Sequence, residues 1–343
     1  MVTIRDVAKY LGVSVSTVSR CLNHHPDINE ETRLRVEAAM KELNYVPSSA
    51  ARNVSKRCTH TIGLTIPDIQ DSYFAENASG VEDVLQRRGY TLVYGSLARD
   101  PGRMVEFVQY AREMRFDGLI ITPEVWNEEL LALLQKVDIP VVALRRRPPE
   151  SAGIPYVDGD HYTGARQMVD YLYETGHRGI AHIVLNTDIG RERFRGYRDA
   201  MESHGLEPRS IRVDTPANRT MDAVRNGREA MRMLREKEPK ITAVFASSDP
   251  IGVGAMEYLA ENGLRVPEDL SVCGSGDIDF CSLYWFRMTT IAFERYELGR
   301  KAAQMLLKMI NREVKHPKSV LFETHLVVRD STRRIILPEE KRK

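Results

Sequence analysis

Apolar residues in the first 45 positions recur every three or four places, the spacing of one helix face. Ile4, Val7, Ala8 and Leu11 form the first such stripe. Thr3 opens it, and Asp6 stands at capping-box distance over the first turn. Gly12 permits a tight turn, after which Ser14 can cap a second helix that turns Val18 and Leu22 inward. Asn29 can cap a third, with Glu30 and Glu31 at its positive end and Val36, Met40 and Leu43 on its buried face. Pro47 closes this all-α unit.

Beyond residue 60 the pattern changes to short apolar runs alternating with amphipathic stretches. Strand-like "HTIGLTIPD" (60–68), "YTLVYGS", "DGLIITP" and "IPVVAL" are separated by helical segments. After the Arg-Pro-rich segment 145–155 the alternation starts again with helix 161–176, "RGIAHIVL", helix 191–204, a strand near 210–214 and helix 221–236. "ITAVFAS", helix 251–263 and "LSVCGSG" complete it. Repeated strand–helix units imply parallel sheets covered on both faces. Two such units in tandem imply two lobes with a cleft, because ligands of open α/β sheets sit beyond the carboxyl ends of the strands. The cleft loops expected on this basis are 68–74, 145–148, 186–193, 247–250 and 275–279. The organisation expected is a headpiece (1–46), a hinge (47–59), a two-lobed core (60–333) and a charged tail (334–343). Within the core, 60–160 joins 290–319 in one lobe, and 161–289 joins 320–333 in the other.

The 343 residues carry a net charge of +1, so any affinity for nucleic acid has to be concentrated in one region. From Leu43 to Pro67 there is no acidic residue, while Arg52, Lys56 and Arg57 are basic, and since the flanking blocks differ in texture this stretch reads as a linker between domains. No apolar run has the length of a membrane span, and "MVTIRDVAKY" lacks the apolar core of a signal peptide. Cys21, Cys58, Cys273 and Cys281 are scattered without metal-ligand spacing, which suits reduced thiols in the cytoplasm. No GxGxxG follows a strand, and no phosphate-binding P-loop or GxSxG elbow occurs. No catalytic residue, cofactor or metal is therefore expected, and the chain does not read as an enzyme.

Two short helices joined by a Gly-containing turn make a helix-turn-helix, whose second helix enters the DNA major groove. In "VSVSTVSRCLN" (13–23) this exposes Val15, Ser16, Ser19 and Arg20. Small side chains let the backbone approach the bases, and one arginine can take guanine O6 and N7 bidentately.

"VTIRDVAKYLGVSVSTVSRCLN" followed by "NEETRLRVEAAMKELNYVP" resembles the headpiece of the LacI/GalR family of transcription factors. The resemblance continues through "HTIGLTIPDIQDSYFAE", "RERFRGYRDAM", "SSDPIGVGAMEYLAENGLRVPEDLSV" and "LVVRDST", from residue 2 to about 332. It implies a homodimer on a double-stranded, pseudo-palindromic operator, and a core of the periplasmic-binding-protein type that binds a small effector. Val15, Ser16 and Arg20 match the base-reading positions, and Thr17 and Ser19 match positions that hold phosphates. Segment 48–57 matches the hinge helix; Val54 replaces the usual leucine wedge, and Lys56 follows it. No leucine heptads follow "LVVRDST", so no tetramerising coiled coil is expected.

In the cleft, the resemblance assigns effector contacts to Tyr73, Phe74, Asp160, Arg193, Ser248 and Asp249. Two positions depart from the family pattern. Arg145 stands after "VVAL" where an aspartate is usual, and Gly276 stands where a second is usual, leaving Asp277 one place later. The first change moves the local formal charge by two units and the second by one, three units towards positive in all. The expected effector is therefore an anionic sugar derivative, a sugar acid or sugar phosphate, rather than a neutral sugar.

Overall fold

The computed structural model describes residues 2–22, 25–45, 58–70, 73–98, 100–213 and 220–336. The chain divides into two compact units, residues 1–59 and 60–343.

The first unit contains α1 (Ile4–Leu11), α2 (Val15–Leu22) and α3 (Glu30–Glu42). Asp6 closes the start of α1 by accepting from the Thr3 backbone N–H at 2.8 Å and the Thr3 hydroxyl at 2.7 Å. Gly12 ends it at φ +67°, a conformation that costs glycine nothing. Ser14 accepts from the Thr17 amide at 3.1 Å, and Asn29 from the Thr32 amide at 2.8 Å, so both expected caps form. Val7, Ala8, Val18, Cys21, Val36 and Ala39 make the core. Cys21 takes the fully buried place expected for Leu22, which packs at its edge. The expected hinge helix, with Val54 and Lys56, lies outside the described residues.

The second unit carries two six-stranded sheets. In the first, β1 (Thr61–Ile66), β2 (Thr91–Ser96), β3 (Gly118–Ile121), β4 (Val141–Leu144), β5 (Tyr156–Gly159) and β11 (Val320–Phe322) lie in the order β11-β5-β4-β3-β1-β2. One face is covered by α4 (Tyr73–Gln86) and α11 (Arg295–Ile310), the other by α5 (Pro101–Glu113) and α6 (Glu128–Lys136). In the second, β6 (Ile180–Leu185), β7 (Arg209–Val213), β8 (Ala243–Ala246), β9 (Ser271–Gly276), β10 (Thr289–Ala292) and β12 (His325–Val327) lie in the order β12-β10-β9-β8-β6-β7. Here α7 (His161–Glu174) and α8 (Asp188–Ser203) cover one face, and α9 (Thr220–Lys237) and α10 (Asp249–Glu261) the other. Every pairing is parallel except β10 with β12. Central strands such as β3 and β8 are buried throughout, as coverage on both faces demands.

The lobe boundaries differ from those expected in two places. Thr290–Ala292, placed with the first lobe, pair with β9 in the second. Val320–Phe322, placed with the second lobe, pair with β5 in the first. The chain therefore crosses between sheets near residues 160, 293 and 323, and each crossing lies beside the carboxyl ends of the strands. Strands of three or four residues have too short a run for a period to show which sheet they join, which is why their sheet is not legible in the sequence.

Candidate functional sites: a helix-turn-helix and an arginine-lined cleft

On α2 the side chains of Val15, Ser16 and Arg20 are exposed, while Thr17 and Ser19 are half-buried. The hydroxyls of Ser16 and Thr17 each lie 2.8 Å from that of Ser14, which fixes the first turn. Among residues with described surroundings, the exposed face of α2 is small and polar apart from Val15 and its single guanidinium. Such a face can approach base edges closely.

In the second unit, α8 starts at the carboxyl end of β6 and delivers Arg193 towards the ends of β8 and β5. Arg193 is 5 % exposed. Its guanidinium donates to the Ser247 carbonyl and, at 3.3 Å, to His161 Nδ1. His161 Nε2 lies 3.2 Å from Asp158; an arginine can only donate, so Nδ1 accepts from Arg193 and the ring proton is on Nε2. Burial drives the His161 pKa down to about 4, against the pull of Asp158. Burial also lowers Arg193 to about 10. Burial alone would raise Asp158, but His161, Arg145 and Arg147 together hold it below the usual carboxylate range. The contacts of Arg193 are thus a carbonyl and a neutral imidazole, and no carboxylate among the described residues pairs with it.

Arg145 follows β4 with φ +61°, a left-handed conformation uncommon for a residue with a Cβ. Its guanidinium lies 3.9 Å above the centre of the Tyr73 ring and 4.9 Å from that of Phe74. Its neighbours are paired: Arg146 with Glu124 at 2.9 Å, and Arg147 with Asp158 at 3.5 Å and Glu192 at 3.7 Å. Arg145 makes no ion pair among the described residues and rests on the two rings by cation–π attraction.

Asp249 is fully buried at the start of α10. It accepts from the Thr290 hydroxyl at 2.6 Å and the Ile278 amide at 3.0 Å. Gly276 stands at φ +140°, and a Cβ there would lie 2.9 Å from Asp249 Oδ2. The backbone itself thus excludes the aspartate expected from the family pattern. Asp277, one place later, turns its carboxylate to Arg329 at 2.7 Å. Asp160 caps α7 through the amide and hydroxyl of Thr163 at 3.0 and 2.8 Å. Ser248, at the cap position of α10, makes no side-chain cap bond and stays half-buried at the cleft.

The structure adds residues the sequence reading did not select. His161 and Asp158 orient Arg193. Arg295, at the head of α11, lies with its guanidinium 5.2 Å from the Tyr73 ring. It donates to the carbonyls of Gly276 at 2.6 Å and Asp277 at 3.0 Å, and pairs with Glu76. It therefore joins the end of β9 in the second lobe to α4 in the first. Tyr73 stands between Arg145 and Arg295.

Residues 3–48 match the bacterial regulatory proteins of the lacI family, and residues 169–332 match a periplasmic binding protein-like domain. The chain is 34% identical over 335 residues to the ribose operon repressor of Halalkalibacterium halodurans, covering 97% of this chain and 98% of that one. It is 33% identical over 342 residues to the transcriptional repressor PurR of Haemophilus influenzae, covering 98% and 100%. The chain belongs to the LacI family. It superposes on a lac repressor dimer bound to operator and an anti-inducer with a TM-score of 0.85 at 26% identity, covering 97% of this chain and 99% of that one. As a LacI-family protein it is a DNA-binding regulator of transcription with an effector-binding core, and not an enzyme. No helix among the described residues is long and apolar enough to cross a membrane.

Proposed function

We propose that this LacI-family protein is a cytoplasmic homodimeric repressor whose effector is an anion of sugar-acid or sugar-phosphate type. The observation that carries this reading is Arg193. It is a fully buried cation with neutral partners, and a second cation, Arg145, rests unpaired among the described residues on Tyr73 and Phe74 nearby. Burying charge without a counter-charge is costly, and a carboxylate or phosphate that meets both guanidiniums removes that cost. Planar guanidiniums also match such groups bidentately. Tyr73 and Phe74 supply the apolar wall, and Ser248 a free hydroxyl. Asp249 acts behind the wall, holding the loop at Ile278.

Calorimetric titration with a panel of sugar acids and sugar phosphates, each beside its neutral parent sugar, tests the reading. The anion binds, and Arg145→Ala and Arg193→Ala each weaken it by more than about tenfold, the scale of one charge-assisted hydrogen bond. Binding of a neutral parent sugar unaffected by Arg145→Ala overturns the anionic effector.

On DNA, Val15, Ser16 and Arg20 read bases and Thr17 and Ser19 hold phosphates, with Val54 and Lys56 contributing from the hinge. Arg20→Ala costs about 1–3 kcal/mol on the operator and relaxes preference at one base pair per half-site. Equal loss on operator and random DNA in a gel-shift titration would make Arg20 a phosphate contact instead.

A further inference from the structure

The buried polar groups at the floor of the cleft form one chain. Asp158, in β5, is held by the Gly159 amide at 2.8 Å and faces His161 Nε2 at 3.2 Å. His161 Nδ1 accepts from Arg193 at 3.3 Å, and Arg193 donates onward to the Ser247 carbonyl. Asp158, His161 and Arg193 are all buried. The Phe293 ring packs against the imidazole, 4.9 Å between centres. The charged groups that face the imidazole are Asp158 from β5, Arg193 from α8 and Arg145 from the end of β4. Arg193 Nε finds no acceptor among the described residues, so this guanidinium holds a further buried donor ready for a ligand.

An imidazole nitrogen without a proton accepts a hydrogen bond, and one with a proton donates. In the ligand-free site Nδ1 has to accept, because Arg193 carries donors alone. A proton added there sets two cationic donors against each other at 3.3 Å, away from the screening of water. An oxyanion seated between them reverses this: it accepts from the guanidinium and from a protonated Nδ1 at once. The imidazolium then has an acceptor on each side, Asp158 at Nε2 and the ligand at Nδ1. We propose that the effector anion and one proton bind together, the proton passing from solvent to Nδ1 of His161. The proposal rests on the reading of the effector as an anion and adds how that site is regulated: acidification tightens it. Without ligand, burial together with Arg193 and Arg145 outweighs Asp158 and keeps the ring neutral, with a pKa of about 4. A divalent oxyanion in contact opposes all three, and a return to the ordinary imidazole value of about 6.5 brings the coupling close to neutral pH.

Inorganic sulfate is the probe, because it stays divalent over the whole range used and carries no proton of its own. Calorimetric titration of the full-length protein at about pH 7.5 and about pH 5.5, each in two buffers of unlike ionisation enthalpy, reads affinity and proton uptake together. Circular dichroism follows the fold at both. The sulfate binding that Arg145→Ala removes is that of the cleft. Its affinity is expected to rise about tenfold on acidification, with close to one proton taken up per sulfate at the lower pH. His161→Asn, which keeps an acceptor for Arg193 but has no titrating nitrogen, loses both the pH dependence and the uptake. Sulfate that binds through Arg145 equally well at both pH values, without proton uptake, overturns the proposal and leaves the anionic effector standing. This outcome is read on the parent chain, independently of how any variant folds. A folded His161→Asn chain that still takes up the proton overturns it too. No Arg145-dependent sulfate binding at either pH removes the anionic reading as well.

Discussion

The two lobes answer the same question differently at the same place. Arg145 follows β4 and Asp277 follows β9, the strands with equivalent places in the two sheets. Both residues adopt the left-handed conformation, φ +61° and +51°. One backbone turn therefore ends both strands at the cleft, and a charged side chain stands on each. Asp277 is neutralised by Arg329 at 2.7 Å, inside its own lobe. Arg145 has two aromatic rings under it and no carboxylate paired with it among the described residues. Equivalent geometry does not make equivalent sites; the partner within reach decides which charge is left for a ligand.

The lobes also differ in what they bury. His161, His177 and His182 all belong to the second lobe, all are at most 2 % exposed, and burial lowers each to about 4. The unfolded chain takes up protons at these histidines below about pH 6.5 while the folded chain does not, so stability falls as pH drops from 6.5 towards 4. Summed over three sites this is an effect of several kcal/mol, the largest expected here. Hydrogen exchange at pH 5 should show the second sheet opening before the first. Simultaneous opening of both would mean that the lobes unfold as one unit and that the contrast has no energetic meaning.

A smaller effect tests why the second lobe lacks an aspartate at the cleft. Gly276→Ala places a Cβ 2.9 Å from Asp249 Oδ2 at φ +140°. It should cost about 1–3 kcal/mol in denaturant unfolding, with headpiece folding untouched. Stability equal to the parent's would show that this backbone relaxes freely and that the family's aspartate could return.

The smallest effect separates the two left-handed residues. Asp277→Asn removes a partly buried ion pair, lowers stability by about 1 kcal/mol and leaves anion affinity unchanged. Arg145→Gly relieves the left-handed backbone but loses the ring contacts, so stability stays within about 1 kcal/mol while anion affinity is lost. If Asp277→Asn altered anion affinity as much as Arg145→Gly, the two positions would form a single site.

Much of this architecture was legible because its periods are strong. Parallel strands buried on both faces read as continuous apolar runs, and the headpiece helices carry caps and stripes that tertiary contacts reinforce. β5 was missed because "YVDG" ends in turn-forming residues, and β11 and β12 because three residues carry no pattern. At the cleft, Arg145 and Arg193 could be selected because the family resemblance marks both positions, Arg145 as a departure from its pattern and Arg193 as a match to it. Arg295 could not, because its role depends on Glu76, 219 residues away, and on carbonyls that no side-chain pattern records. The ion pair of Asp277 is illegible for a related reason: its partner Arg329 comes from the chain after β12, far along the sequence.

The burial of Cys281 beneath the turn after β9 has a practical consequence for labelling chemistry. Alkylation requires an accessible thiolate. Cys21, Cys273 and Cys281 are buried, and burial raises the pKa of each thiol. Cys58 alone is half-buried, one residue before the last of the first unit. A maleimide dye at neutral pH should therefore attach once per chain, at Cys58.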